Sequence, residues 1–325
     1  MKIGVVGATG EVGRTMVKVL EDLNVNVTEL KLFASKKSKE KKIKFKNNDY
    51  IVEQLTEEKM KEKYDYLLFS AGSTVSKKFA PIAADYGNTV IDNSSAFRMK
   101  KNIPLIVPEI NGMLLKDYKG IIANPNCSTI QMVLALSSLE KEFGISEIFV
   151  STYQAVSGAG NKGIKELLDQ ENGNNNFNHF PELIHHNVIP VIGPFEDNGF
   201  TQEEMKMVNE TRKIFNDESI KVYPTAVRVP VLYGHSESIT FRLKSNATIE
   251  SIKNLIIKTE NVKYSENLIT PLNVAGSDIT YVSRLRQMDE NTFLVWVVAD
   301  NVRVGAATNA VRILLKHFEL NHRKL

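Results

Sequence analysis

The strongest constraint on this chain lies near its start. A short apolar run, Lys2–Val6, leads into Gly7-Ala8-Thr9-Gly10-Glu11-Val12-Gly13, with a helical pattern over Glu11–Leu23. A strand that turns at once into a helix needs glycine at three places: where the backbone folds back, where a ligand's phosphates approach, and where helix and strand touch. Gly7, Gly10 and Gly13 fill those places. The spacing stands one residue off the standard dinucleotide fingerprint, so a plain βα turn is the competing reading. The strand before and the helix after favour a nucleotide, met by Gly7, Thr9, Gly10, Glu11 and Val12.

The pattern then repeats. Val27–Ala34, Tyr64–Ser70, Thr89–Asp92 and Gly120–Ala123 read as strands, and Val75–Tyr86 and Ile130–Phe143 as helices. Short apolar strands separated by helices predict an α/β domain with a doubly wound, Rossmann-type parallel sheet. The second strand ends in Phe33-Ala34-Ser35-Lys36-Lys37-Ser38, where an NAD site usually carries Asp or Glu for the ribose 2′-hydroxyl. Hydroxyls and cations suit a 2′-phosphate instead, so Ser35, Lys36 and Ser38 point to NADP. Ser70-Ala71-Gly72 ends another strand and leaves room for a dinucleotide, although an ordinary Ser/Gly loop explains it nearly as well.

Charge is unevenly spread. Residues 31–46 hold eight lysines against one acid, Glu40, while the whole chain carries only +3. With no nucleic-acid motif beside it, the run reads as a solvated loop with one or two lysines on a phosphate. Neither nucleic acid nor membrane is expected as a partner, since no run nears the ~18 apolar residues of a membrane helix. The single cysteine excludes an internal disulfide and a multi-thiolate metal site, which suits a reducing, cytoplasmic setting and no metal.

At roughly 150 residues per domain, 325 residues make two domains. The second half reads as α+β with a mixed, partly antiparallel sheet. Its strands are Ile145–Val156, one or two within Val222–Leu243, Ile279–Arg286 and Thr292–Ala299, and its helices are Ala159–Gln170, Gln202–Phe215 and Ile249–Lys258. The last helix, Gly305–Phe318, returns to the first domain. The boundaries expected are 1–127 with 303–325 for the NADP-binding domain and 128–302 for the catalytic domain. The asparagine-rich stretch Glu171–His179 reads as an exposed, mobile loop.

Cys127 stands in Asn124-Pro125-Asn126-Cys127-Ser128-Thr129, between a strand and a helix expected to begin near Thr129. A thiol at a helix N-terminus favours the thiolate, and the exposed N–H groups there could hold an oxyanion. A buried, inert cysteine is the alternative. Thr201-Gln202-Glu203-Glu204 reads as a capping box, with Glu204 reaching back and Glu203 left over. Glu203 and Lys206, three apart, could be no more than a surface ion pair. Of six histidines, His317 and His322 suit helix-end or surface roles, and the neighbours His185 and His186 should face apart.

The glycine turn, the elbow Asn126–Thr129, Ser151-Thr152-Tyr153-Gln154-Ala155-Val156-Ser157-Gly158-Ala159-Gly160, Glu203–Lys206 and Arg228-Val229-Pro230-Val231-Leu232-Tyr233-Gly234-His235 together resemble the aspartate-β-semialdehyde dehydrogenase family. The likeness runs in order to Asp300-Asn301; the segment between Gln170 and Thr201 is short for the family. It implies NADP-dependent reductive dephosphorylation of L-4-aspartyl phosphate to L-aspartate 4-semialdehyde, on the way to lysine, threonine, methionine and diaminopimelate. It implies Cys127 as nucleophile, His235 as general acid/base and Gln154 as the amide that orients the acyl intermediate. Arg228 would hold the substrate carboxylate, Glu203 its ammonium, and Lys206 and Arg98 phosphate with Asn126 assisting. Ser157, Gly158 and Asn301 would join the cofactor site, and the second domain would form a homodimer or a dimer of dimers. N-acetyl-γ-glutamyl-phosphate reductase shares the chemistry but has no cation for Glu203. A non-catalytic NADP-binding paralogue should have lost Cys127 or His235, and both stand.

Overall fold

The structure is a computed structural model that describes residues 1–322, so the end of the 303–325 segment lies outside the described residues. The chain forms two units. One comprises Met1–Pro125 and the chain from Ala306 on; the other comprises Asn126–Gly305.

The first unit runs β1 (Lys2–Val6), α1 (Glu11–Asp22), β2 (Glu29–Ala34), β3 (Lys42–Phe45), β4 (Asn48–Gln54), α2 (Glu57–Lys61), β5 (Tyr66–Phe69), α3 (Ser73–Asp85), β6 (Thr89–Asp92), α4 (Pro108–Asn111) and β7 (Ile121–Ala123). The sheet order is β3-β4-β2-β1-β5-β6-β7, and all pairings are parallel except β3 with β4. The central strands are buried on both faces, as their unbroken apolar runs require. One face packs on Met16, Val17 and Leu20 of α1. Phe33, Leu67 and Phe69 point the other way, to Ala80 and Ala83 of α3.

The lysine-rich run is not the expected loop. Lys36–Ser38 form a 3-10 turn, and Lys42–Phe45 pair with β4 as an edge hairpin. Its residues alternate: Lys42 and Lys44 are exposed while Phe45 is buried, and lysines on an edge strand discourage pairing with another chain.

The second unit runs α5 (Cys127–Phe143), β8 (Ile145–Gln154), α6 (Gly160–Glu171), α7 (Gln202–Phe215), β9 (Lys221–Arg228), β10 (His235–Leu243), α8 (Ile249–Lys258), β11 (Val262–Ser265), α9 (Pro271–Val274), β12 (Thr280–Gln287) and β13 (Thr292–Ala299). Its mixed sheet has the order β11-β12-β13-β10-β8-β9. β10 is antiparallel to β8 and β13, whereas β8–β9 and β11–β12 are parallel. Alternation along β10 sends His235, Glu237, Ile239 and Phe241 into the core. On β8 and β9, Phe149, Tyr153 and Tyr223 stay 44%, 37% and 43% exposed, and the Phe149 and Tyr223 rings stack at 4.5 Å. This unit therefore presents an aromatic, uncovered sheet face.

A π-helical turn, Arg303–Thr308, leads into α10 (Asn309–His322), later than the expected Gly305 start. Val311 and Leu314 of α10 join the α1 side of the first unit's core. Among the described residues no helix is long and apolar enough to cross a membrane.

The asparagine-rich stretch is exposed but tied: the N–H groups of Asn178, His179 and Phe180 all donate to the Glu166 carboxylate. His185 and His186 do not face apart. His186 takes a left-handed turn conformation, φ 56°, and the two rings lie 3.9 Å apart. His317 is not at the surface: it is buried, within 2.8 Å of the Tyr66 hydroxyl at Nδ1 and 2.9 Å of the Tyr118 carbonyl at Nε2. A carbonyl only accepts, so Nε2 carries the ring proton and Tyr66 donates to Nδ1.

Candidate active site

The glycine turn of the first unit behaves as its spacing demands. Gly7 has φ +83°, and a Cβ on it would meet Ser70 and Ala71 backbone at 2.9 and 3.0 Å. A Cβ on Gly13 would stand 2.2 Å from the Gly7 carbonyl oxygen, so helix and strand touch there. Gly10 is different: its φ is −75°, and its nearest neighbour to a Cβ would be 3.4 Å away. Its lack of a side chain therefore serves whatever lies above the turn. Thr9 Oγ1 reaches Ser38 Oγ at 3.4 Å, so the turn and the Ser35–Ser38 segment meet. Ser70 Oγ donates to the Val6 and Gly7 carbonyls, and Gly72, φ +82°, opens α3 with nothing beside it. Gly7, Thr9, Gly10, Ser38, Ser70, Ala71 and Gly72 thus lie around one turn, tightly packed at Gly7 and open at Gly10 and Gly72, and its open side fits a dinucleotide. Arg98 also lies in this unit, buried, donating to the Asn93 and Asn124 carbonyls at 2.9 Å each.

In the second unit, α5 begins at Cys127 itself, earlier than its apolar periodicity announces. Asn126 is the N-cap: its Oδ1 accepts from the Ser128 and Thr129 N–H groups at 3.1 and 3.2 Å. Those two donors are taken and cannot serve an oxyanion. Cys127 is the first helical residue, where the helix dipole favours a thiolate. Gly305 lies so close that a Cβ on it would stand 2.6 Å from the Cys127 Cβ.

Asn126 is itself gripped from α7. Its N–H donates to Glu210 at 2.6 Å and its Nδ2 to Glu203 at 2.9 Å. The expected capping box is present, with Thr201 N–H on the Glu204 carboxylate at 2.7 Å. Glu203 is therefore free of capping, and it does pair with Lys206 at 2.9 Å. The pair is no surface ornament, because Glu203 is buried and also accepts from Gln154 at 3.3 Å. Burial alone would raise its pKa, but Lys206, Asn126 and Arg228 outweigh it and hold the carboxyl at about 2. Glu210, two helical turns from Glu203 on the same face, escaped the sequence reading; the i, i+7 spacing was its only signal.

Arg228 ends β9, buried, with Nη1 donating to the Ala155 carbonyl at 2.7 Å. Burial lowers its pKa, opposed by the charges of Glu203 and Cys127. His235 opens β10 with no exposed surface, and the Ala155 N–H donates to its Nδ1 at 3.0 Å. An N–H at Nδ1 leaves the ring proton on Nε2, which has no hydrogen-bond partner among the described residues. Burial first, and Arg228 second, push the ring from 6.5 to about 3, against the pull of Glu203. An ordinary imidazole titrates near working pH, whereas this one does not. The ring is neutral, and it presents an N–H donor.

Gly158 packs against both groups: a Cβ there would lie 2.7 Å from Arg228 Nη1 and 3.2 Å from His235 Nε2. Asn301 pins the Gly234 N–H at 2.9 Å and exchanges contacts with Ser157 at 3.0–3.2 Å, so it braces the loop that delivers His235. Cys127, Gln154, Glu203, Lys206, Arg228 and His235 thus form one electrostatically linked cluster within a single unit. Among the described residues no group of acids, histidines and cysteine could hold a metal.

Comparison with known proteins identifies the family. The family pattern described as "Semialdehyde dehydrogenase, NAD binding domain" matches residues 2–118, and "Semialdehyde dehydrogenase, dimerisation domain" matches residues 136–304. The chain is 46% identical to an aspartate-semialdehyde dehydrogenase of Aquifex aeolicus, over 96% of each chain. It is 44% identical to that of Bacillus subtilis, covering 99% of this chain and 98% of the relative. It superposes on aspartate semialdehyde dehydrogenase II of Vibrio cholerae complexed with ASA at a TM-score of 0.95, with 43% identity and 98% of each chain covered.

Proposed function

Because the chain belongs to the aspartate-semialdehyde dehydrogenase family, we propose that it reduces L-4-aspartyl phosphate to L-aspartate 4-semialdehyde, reversibly, with NADP. The observation that carries the reading is the linked cluster: a cysteine at the first position of α5, acting on a buried arginine that in turn acts on a neutral histidine.

The residues divide the work by their chemistry. Cys127, as thiolate, attacks the acyl carbon; the C–S bond forms, the carbonyl oxygen takes the electron pair, and phosphate leaves as a thioester remains. Sulfur suits both attack and departure. His235 donates from Nε2 to the oxygen as its charge develops, and the Ala155 N–H at Nδ1 keeps the ring in that tautomer. Gln154, tied to Glu203, orients the acyl group without titrating. Arg228 receives the substrate carboxylate through its guanidinium fork, and Glu203, ionised, receives the ammonium. Lys206 is the phosphate cation of this unit, with Asn126 beside it, and Arg98 is the first unit's candidate for the same anion.

The cofactor would be held by the Gly7–Gly13 turn, the Ser35–Ser38 segment and Ser70–Gly72, and in its reduced form, NADPH, it would supply hydride for the acyl carbon. Ser157, Gly158 and Asn301 complete the proposed set of cofactor residues. The exposed aromatic sheet face of Phe149, Tyr153 and Tyr223 supports a homodimer or a dimer of dimers built on the second unit. A cytoplasmic location belongs to the same proposal.

The test is phosphate-dependent NADP⁺ reduction with aspartate semialdehyde beside N-acetylglutamate semialdehyde. The expected result is turnover of the first alone, abolished by Cys127→Ala. Equal turnover of both, or full activity of the variant, overturns the reading.

A further inference from the structure

A second carboxylate lies beneath the cluster with no role in the scheme above. Glu237 is fully buried on β10, two residues beyond His235 and therefore on the same face of the sheet. Neither of its carboxyl oxygens has a hydrogen-bond partner among the described residues. Gln131 is placed in parallel: it is buried on α5, one helical turn beyond Cys127 and on the same helix face. Its Nε2 donates to the His235 carbonyl at 3.3 Å, and its Oε1 is also without a partner.

The two side chains have matching deficits. An ionised carboxylate only accepts, so it could not satisfy the Gln131 Oε1, which also only accepts. A fully buried, unpaired charge is also far costlier than a neutral acid. The protonated form supplies the missing O–H. The surroundings offer no charge to change this balance: across the sheet Glu237 faces Thr152 of β8 and Val297 of β13, and from α5 it faces Gln131. Burial raises the carboxyl well above the ordinary carboxylate range, and the Gln131 amide is the one group that opposes the shift.

We infer that Glu237 is a neutral, proton-donating positioning residue, which with Gln131 clamps the helix bearing Cys127 to the strand bearing His235. The clamp works through the His235 main chain, so it sets the imidazole's position and not its charge. It rests on the assignment of Cys127 and His235 as the reacting pair.

The experiment uses the full-length protein. Infrared spectra at neutral pH should show the C=O stretch of a protonated carboxyl group that is missing from Glu237→Gln. Glu237→Leu and Gln131→Leu should each lower kcat by about 10- to 100-fold with KM within about twofold, the expected penalty of a small misplacement of reacting groups. Glu237→Gln, which keeps a donor and an acceptor, should recover most of that loss without moving the pH profile. Absence of the band, or a Glu237→Gln enzyme as slow as Glu237→Leu with its pH profile shifted, overturns the inference. Turnover surviving in Cys127→Ala would instead sink the site assignment, and the infrared band, which needs no activity, would still decide the state of Glu237.

Discussion

Replacing His235 with asparagine should flatten the acid limb of the protein's stability. The folded ring is buried, accepts the Ala155 N–H at Nδ1, and is held at about 3 by burial and Arg228. In the unfolded chain it titrates near 6.5. Between those values the unfolded chain binds a proton that the folded chain refuses. Stability therefore rises with pH across the window, is fully present above 6.5, and is lost as pH falls. Each pH unit is worth about 1.4 kcal/mol. Glu203 acts in the same sense but lower, since its contribution is present above 4.5 and lost toward 2. Over the interval from pH 6.5 to 4.5 the difference between wild type and His235→Asn isolates His235, because buried carboxyls such as Glu237 are common to both proteins, and two units amount to about 2.7 kcal/mol. His317, also lowered by burial, is common to both proteins and cancels. The assay is urea unfolding at stepped pH, followed by fluorescence of Trp296, the sole tryptophan, which lies on β13 in the same unit as His235. Wild type should lose about 2.7 kcal/mol more than His235→Asn over the interval. Parallel curves would show that the folded ring titrates normally, and the neutral-donor role would fall with them.

Other perturbations follow from the same geometry. Gly158→Ala drives a methyl to 2.7 Å from Arg228 Nη1 and 3.1 Å from His235 Cε1; kcat/KM should drop about 100-fold with the circular dichroism spectrum unchanged. Gly13→Ala forces a Cβ to 2.2 Å from the Gly7 carbonyl and should cost about 1–3 kcal/mol in urea unfolding, while Gly10→Ala should leave stability near wild type and raise KM for NADP. Glu203→Asp withdraws the carboxylate from Lys206 and Asn126, and KM for the semialdehyde should rise about tenfold, the loss of one charge-assisted hydrogen bond; an unchanged KM removes the ammonium role. With one cysteine in the chain, inactivation by a thiol reagent should track modification of Cys127 alone, at a rate that NADP and phosphate together alter, as mass spectrometry of the labelled protein would show.

Much of the fold could be read from the residues because local pattern and tertiary burial agree. Gln202–Phe215, Ile249–Lys258, Thr89–Asp92 and Thr292–Ala299 occur with the bounds their periodicity implies. The β3–β4 hairpin was obscured by composition, since its lysines suggest a loop although Lys42-Ile43-Lys44-Phe45 alternates as an edge strand should. The start of α5 was misplaced for a similar reason. Apolar spacing marks where a helix is buried, whereas Asn126, a polar cap, marks where it begins.

The chemistry of the cluster was legible by residue type but not by charge state, and the difference has one physical origin. A side chain's proton depends on partners that the fold brings from elsewhere in the chain. Glu203 and Lys206 are a visible pair at i, i+3, yet what keeps the buried carboxylate ionised beside Lys206 is Asn126 from the cap of α5 and Arg228 from the end of β9. His235 is a visible candidate, yet its tautomer is set by one backbone N–H at Ala155, 80 residues away. Glu237 carried no signal at all, because a glutamate on an alternating strand announces solvent. Only the burial of β10 between β8 and β13, under α5, makes that residue an acid that keeps its proton. Such a group is worth retaining in a core only if its hydrogen bond is needed, and the facing helix offers it an unpartnered acceptor on Gln131, the residue that holds the His235 carbonyl.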